Sequence, residues 1–353
     1  MPKLLFLSAN FTGYFHQCLQ KLVKNHGFEV QIIRWGSSAN TLFQFVDFEG
    51  ISIHLKTKFS QADLLEKCLD FQPDMVYFPG WMDKDYLKIA SQLRSKGTIS
   101  IMGFDNQWRG TLKQRLLALM GYQFFKRYFQ ADYVWVAGAY QYEYVRRIGV
   151  PKTQILLGLY SANQPAFNAE YQRVIVSKIN DYPKRFLYVG RFETMKNPLI
   201  LYRVFRKIVD EDLHKGWSLT MIGAGEESIH LKTSQHIEIK DFIQPDELSR
   251  EFSKFGCFVL PSSHEPWGVV IHEAVSAGLP LILSAGTGAE TLFFQEGQNG
   301  FSFESGNGET LRKTLLQIIN SSHENLLKMA ERSSELSFQI TPDLWASTLK
   351  SVL

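Results

Sequence analysis

The stretch Cys257–Pro280, CFVLPSSHEPWGVVIHEAVSAGLP, constrains the fold of this chain more than any other. Its first five residues are an apolar run of buried-strand length, stopped by Pro261. Ser262 and Ser263 lead into an acidic turn, His264-Glu265-Pro266-Trp267-Gly268. Beyond Gly268, the apolar residues Val269, Val270, Ala274 and Val275 fall at helical spacing, and Gly278 followed by Pro280 stops the helix. Leu281–Leu283 begins another short strand. Strand, turn, helix, strand is a βαβ unit of a parallel sheet. Its helix starts at the carboxyl edge, where unpaired N–H groups and the positive end of the helix dipole favour phosphate.

Two carboxylates frame that helix. Glu265, on the preceding loop, is either a ligand contact or an acid favoured by the dipole. Glu273, in the second turn, reads by spacing alone as an exposed helix acid.

The same alternation fills the rest of the chain. Strands are expected at 3–8, 29–35, 51–56, 74–78, 98–104, 132–137 and 154–157, with helices at 14–25, 61–71, 84–96, 111–129 and 140–148. In the second half, strands at 185–190, 217–222 and 237–239 precede the βαβ stretch, and one at 299–303 follows it. Helices there are expected from Pro245 to before Gly256 and at 309–320, 323–335 and 342–352. Such alternation predicts an α/β protein with parallel, doubly wound sheets. A chain of 353 residues is too long for one core and fits two domains of about 150–180 residues each. Asn163 to Pro183, polar with two prolines, reads as the connection between them, holding a short helix.

Three widely spaced cysteines, Cys18, Cys68 and Cys257, give no disulfide framework and no zinc pattern, and fit a reducing, cytoplasmic compartment. The N-terminus reads as a first strand rather than a signal peptide, and no apolar run is long enough to span a bilayer. Residues 1–163 hold 19 Lys and Arg against 12 Asp and Glu, whereas 164–353 hold 19 against 23. A basic first half points to an anionic partner.

Several residues at strand ends of the first half are candidates. Gly13 closely follows the first strand and allows a phosphate or an acceptor near the backbone. Trp81 stacks on a sugar ring or packs. Asp105 and Asn106 end the fifth strand, where Asp105 is either a site residue or the cap of the next helix. Trp108 and Arg109 open a run to Phe129 with five Lys or Arg and no acid between Asp105 and Asp132. Leu112, Leu116, Leu119 and Met120 share one face of that helix, which either rests on anionic lipid or packs with its lysines at the rim. No reader motif accompanies the basic run, so nucleic acid is not expected. Asp83-Lys84-Asp85 has metal-motif spacing but sits at a helix start, where acids are favoured anyway; no metal site is assigned.

In the second half, Gly190-Arg191 ends a strand and Lys196-Asn197-Pro198 opens a helix. One arginine and one lysine so placed can neutralise a diphosphate from two sides, although such a pair is more often just solvated. Gly223-Ala224-Gly225 lacks the third glycine of a dinucleotide fingerprint.

The run from Glu265 to Pro280 resembles the E-x7-E signature of the retaining, nucleotide-sugar-dependent glycosyltransferases of family 4. Glu265, Pro266, Gly268, Glu273, Ala274, Gly278 and Pro280 match, and Trp267 stands in place of phenylalanine. Gly190-Arg191 with Lys196-Asn197, the 223–226 glycine element, the 287–290 loop and Asn299-Gly300 are similar to further elements of that family. The resemblance is continuous over 185–303. Over 1–163 it is thinner, carried by Ala131-Asp132, Gly149-Val150-Pro151 and Gly158.

The resemblance implies a GT-B architecture, two Rossmann-like parallel-sheet domains facing across a cleft. An acceptor domain (1–163), a linker (164–183) and a donor domain (184–340) would be followed by a last helix (341–353) returning to the first domain. It implies metal-independent transfer of a sugar from a nucleoside diphosphate, UDP or GDP, to a saccharide or lipid-linked acceptor, with no cofactor. Glu265, Lys196, Arg191 and Asp105 would be catalytic. Gly13, Gly190, Arg191, Lys196, Gly223, Phe242, Ile243, Glu265, Trp267, Gly268, Val269, Val270 and Glu273 would bind the donor, and Trp81, Asn106, Trp108 and Arg109 the acceptor. The family often carries a histidine where this chain has Asp105-Asn106, and paired glycines where it has Thr12-Gly13. Two rival readings are a nucleotide-sugar epimerase of the same fold and a non-enzymatic nucleotide-sugar binder.

Overall fold

A computed structural model describes residues 1–9, 11–36, 47–129 and 131–353, apart from the side chains of 122–129 and 246. Asn10, in the turn expected after the first strand, lies outside the described residues. The chain divides into two compact units, Met1–Ser161 with Pro342–Leu353, and Ala162–Thr341.

The first unit runs β1 (Lys3–Ser8), α1 (Gly13–His26), β2 (Glu29–Arg34), β3 (Ile51–Leu55), α2 (Gln61–Asp70), β4 (Met75–Pro79), α3 (Lys84–Ser95), β5 (Ile99–Phe104), α4 (Leu112–Phe129), β6 (Tyr133–Val136), α5 (Ala139–Arg147) and β7 (Ile155–Leu157). Its strands lie in the order β3-β2-β1-β4-β5-β6-β7, every pair parallel. Helices cover both faces of such a sheet, so the consecutive side chains Leu4 to Leu7 of β1 and Met75 to Phe78 of β4 are all apolar and buried.

The second unit runs α6 (Gln164–Asn180), β8 (Arg185–Val189), α7 (Pro198–Asp210), β9 (Ser218–Ile222), β10 (Ile237–Lys240), α8 (Pro245–Phe252), β11 (Cys257–Leu260), α9 (Val269–Ser276), β12 (Leu281–Ser284), α10 (Glu290–Phe293), β13 (Gly300–Phe303), α11 (Gly308–Asn320) and α12 (His323–Leu336). Its parallel order is β10-β9-β8-β11-β12-β13. The last helix, α13 (Pro342–Lys350), packs against α1 in the first unit. There Trp345 is buried, and its indole N–H donates to the Leu159 carbonyl at 2.8 Å. Both units are parallel-sheet, Rossmann-like α/β domains.

Three expectations change. The segment 164–183 is no linker: α6 spans seventeen residues, buries Phe167 and Tyr171, and belongs to the second unit. Asp105 does not cap α4, which begins at Leu112. The row Leu112, Leu116, Leu119 and Met120 is not a packing face, because these side chains are 79%, 62%, 83% and 48% exposed while Leu117 and Ala118 meet the core. Asp83 caps α3 through the amides of Asp85 and Tyr86 and pairs with Lys56 at 2.7 Å, a structural role that occupies its carboxylate.

Candidate active site

In the second sheet the chain winds outward in both directions from β8 and β11. The carboxyl ends of these two strands therefore flank the crevice where doubly wound folds take their ligands. After β8 come Gly190, exposed Arg191 and a single turn over Thr194–Lys196. After β11 come Ser262, Ser263 and the Glu265 turn into α9. The two loops are stitched together, since the amide and hydroxyl of Ser263 both donate to the Met195 carbonyl, at 2.9 and 3.0 Å.

Across this junction the Lys196 ammonium is ion-paired with the Glu265 carboxylate. Their side chains are only 18% and 7% exposed. Ser262 donates a further hydrogen bond to Glu265 at 3.3 Å. Gly268 begins α9 in the left-handed region, φ 91°, which favours glycine. A Cβ there would also sit 3.0 Å from Cγ of Glu265, so the Glu265 side chain lies directly against the helix start. The first-turn amides of Val269 and Val270 have no intrahelical acceptor. One cation, one acid and an amide-rich helix start thus meet at a single point.

Arg191, on the same loop as Lys196, is 59% exposed and paired with Glu193 at 2.7 Å. Its main chain is fixed from below: the buried Tyr188 phenol donates to the Arg191 carbonyl at 2.9 Å. Gly223, at the end of β9, is dictated by contact, because a Cβ would lie 1.9 Å from the Gly190 carbonyl oxygen. Phe242 and Ile243 follow β10 and are half-buried. Trp267 is buried against Phe293, ring centroids 6.2 Å apart, so its side chain supports the turn from within. Its carbonyl accepts from Ala289 at 2.9 Å, binding the 287–290 loop to the turn.

Glu273 differs from its expected place as an exposed helix acid. It is half-buried, its carboxylate accepts no hydrogen bond from any described residue, and burial pushes its carboxyl up to about 7. The neighbouring His272 is fully buried and stacked on Phe293. Its Nδ1 accepts from the Ala162 amide at 3.0 Å and its Nε2 faces the Ser337 carbonyl at 2.9 Å. Burial lowers this imidazole to about 4, so it stays neutral and anchors α9 to both ends of the unit.

In the first unit, Asp105 is exposed at the end of β5. The Tyr160 phenol donates to its carboxylate at 3.1 Å, and Gln141 donates to its carbonyl at 3.1 Å. Tyr160 packs against Tyr14, next to Gly13 at the start of α1, with ring centroids 5.7 Å apart. Asn106 and Arg109 are exposed. Trp81 and Trp108 are half-buried: Trp81 packs on Phe104, and Trp108 on Tyr144 beneath the Arg147 guanidinium.

The second sheet brings Lys196, Glu265 and Gly268 together, with Arg191 and Glu273 on the adjoining loop and helix. Tyr188, Ser262, Ser263 and Glu193 escape sequence reading. A tyrosine in a buried strand or a serine in a loop looks like many others until its partner is known.

Residues 173–336 match the family described as Glycosyl transferases group 1. That match lies within the second unit. Sulfoquinovosyl transferase SQD2 of Arabidopsis thaliana is 30% identical over 160 residues, 43% of this chain and 30% of that protein. Spore coat protein SA of Bacillus subtilis is 30% identical over 174 residues, 44% of this chain and 45% of that protein. The match therefore spans less than half the length of either relative. Among solved structures, HepE of Anabaena in complex with UDP-glucose aligns with a TM-score of 0.72 at 14% identity, covering 100% of both chains. Sucrose-phosphate synthase of Thermosynechococcus elongatus gives 0.70 at 16% identity, covering 100% of this chain and 98% of that one. At such identities the likeness is one of fold, that of GT-B structures.

Proposed function

We propose that this chain is a family 4 glycosyltransferase that moves a sugar from a nucleoside diphosphate to an acceptor hydroxyl, with retention at the anomeric carbon and without a metal. The observation that carries this reading is the Lys196–Glu265 pair set against the start of α9 at the switch point of the second sheet. Lys196, Arg191 and the amides from Gly268 to Val270 supply the positive charge that a departing diphosphate needs. Glu265 holds the sugar hydroxyls and favours positive charge at the anomeric carbon. Glu273 accepts hydrogen bonds from the ribose hydroxyls, a role suited to a carboxylate that lacks a partner among the described residues.

In the reaction the bond from the anomeric carbon to the diphosphate oxygen breaks. A bond to the acceptor oxygen forms on the same face, and the leaving phosphate takes the acceptor proton. Asp105, held by Tyr160, orients the acceptor on the first unit, beside Asn106, Trp108, Arg109 and Trp81.

UDP or GDP is the donor nucleotide, a reading supported by the UDP-glucose bound in the Anabaena HepE structure. The acceptor is a saccharide or a lipid-linked saccharide at the cytoplasmic face of a membrane. The exposed apolar row on α4, with exposed Arg109, Lys113 and Arg115 alongside, supports a peripheral contact with anionic lipid. Among the described residues no helix is long and apolar enough to cross a bilayer.

A thermal-shift panel of UDP-, GDP-, ADP- and dTDP-sugars tests this reading. One donor should raise the melting temperature and then be consumed with an acceptor. Stabilisation by none of them overturns the proposal, and an isomerised sugar from donor alone means an epimerase instead.

A further inference from the structure

We propose that the Lys196–Glu265 pair makes the site discriminate against free nucleoside diphosphate, favouring the nucleotide sugar and helping to expel the spent nucleotide. The inference rests on the diphosphate reading above and deepens it. Lys196 reaches no described acid other than Glu265, and its side chain is 18% exposed. A diphosphate that takes Lys196 must therefore replace Glu265 as its partner or share one ammonium with it.

The two ligands differ in what they offer the displaced carboxylate. A nucleotide sugar places hydroxyls beside Glu265, which satisfy it. A free diphosphate offers none, and its terminal phosphate ionises once more, with a pKa near 6, so it carries about one extra negative charge at pH 7. Glu265 is 7% exposed and also accepts a hydrogen bond from Ser262 at 3.3 Å. Burial weakens screening by solvent, so like charges placed there repel strongly. Once transfer removes the sugar, Glu265 recovers Lys196 and the nucleotide loses a cation.

The prediction has opposite signs for two ligands on one variant. In Glu265→Gln, Lys196 has no competing carboxylate. Its affinity for UDP should rise by roughly three- to tenfold over wild type. Its affinity for UDP-glucose should fall or stay level, because the sugar contact is lost with the competitor. GDP and GDP-mannose serve as the second probe pair, and calorimetric titration of the intact protein gives all four affinities. UDP or GDP bound by wild type but equally or more weakly by Glu265→Gln overturns this inference alone. Failure of wild type to bind any nucleotide overturns the functional reading as well. Should Glu265→Gln not fold, a crystal structure of wild type with UDP decides: Lys196 is expected on a phosphate oxygen, and a bound diphosphate that leaves the Lys196–Glu265 pair intact overturns the inference.

Discussion

Lys196 and Glu265 stand 69 residues apart in sequence and meet as an ion pair that joins the loop after β8 to the loop after β11. With side-chain exposures of 18% and 7%, the pair is largely removed from water. In that setting, removing one partner costs more than removing both, because the survivor's buried charge loses its counter-charge. Stability and function can therefore be separated here. Lys196→Ala and Glu265→Ala should each lower stability by roughly 3 kcal/mol. Lys196→Met combined with Glu265→Leu should recover most of that loss. All three should lose transfer by about a hundredfold or more. Thermal unfolding alongside a transfer assay checks this, and a double variant that regains both stability and activity contradicts it.

Glu273 should couple nucleotide binding to proton release. Burial raises its carboxyl from 4.5 to about 7, so between these values the folded protein holds this proton more firmly than the unfolded chain does. The stability it contributes is present below pH 4.5 and is lost as pH rises through 7. Hydrogen bonds from ribose hydroxyls favour the ionised form, so binding at pH 7 should expel a fraction of a proton. Calorimetry in two buffers of different ionisation enthalpy measures this. Glu273→Gln should abolish the release, and equal buffer dependence in both proteins would refute the assignment.

Lys178 on α6 is a burden on the fold. It is 2% exposed, meets no carboxylate among the described residues, and donates one hydrogen bond, to the Phe255 carbonyl at 3.0 Å. Burial lowers it from 10.5 to about 8, so its charged form is disfavoured in the folded state. The cost is fully present below pH 8 and is relieved as pH rises toward 10.5. Lys178→Met should stabilise the protein by about 1–3 kcal/mol at pH 7, and the gain should shrink above pH 10. Urea unfolding at the two pH values checks both statements.

The exposed row on α4 should bind anionic vesicles at low salt. Leu116→Glu with Leu119→Glu adds charge to side chains already 62% and 83% exposed, so folding should be unaffected. Flotation with phosphatidylglycerol vesicles should retain wild type and lose the variant. Equal flotation of both, or of neither, contradicts the lipid contact.

The parallel architecture is legible in the sequence because buried strands such as CFVL in β11 show unbroken apolar runs, flanked by loops rich in glycine and proline. The site loops are legible as local patterns, but their pairing is not. Nothing in the spacing of Lys196 and Glu265 says that their charges meet, since that depends on the strand order β8-β11. The α6 helix escapes for a different reason. It buries Phe167 and Tyr171 on one side while Val176 and Ile179 stay 67% and 52% exposed, so apolar residues around the helix erase the period. On α4 the period is clear, yet it is the same whether the face meets protein or something else, and only exposure separates the two.

A crystal structure of the protein with the nucleoside diphosphate it binds most tightly tests the central claim most directly. Phosphate density should lie at the start of α9, within hydrogen-bond distance of Lys196, Arg191 and the amides of residues 268–270. A nucleotide bound elsewhere on the chain, with that corner filled by protein side chains, would contradict the account.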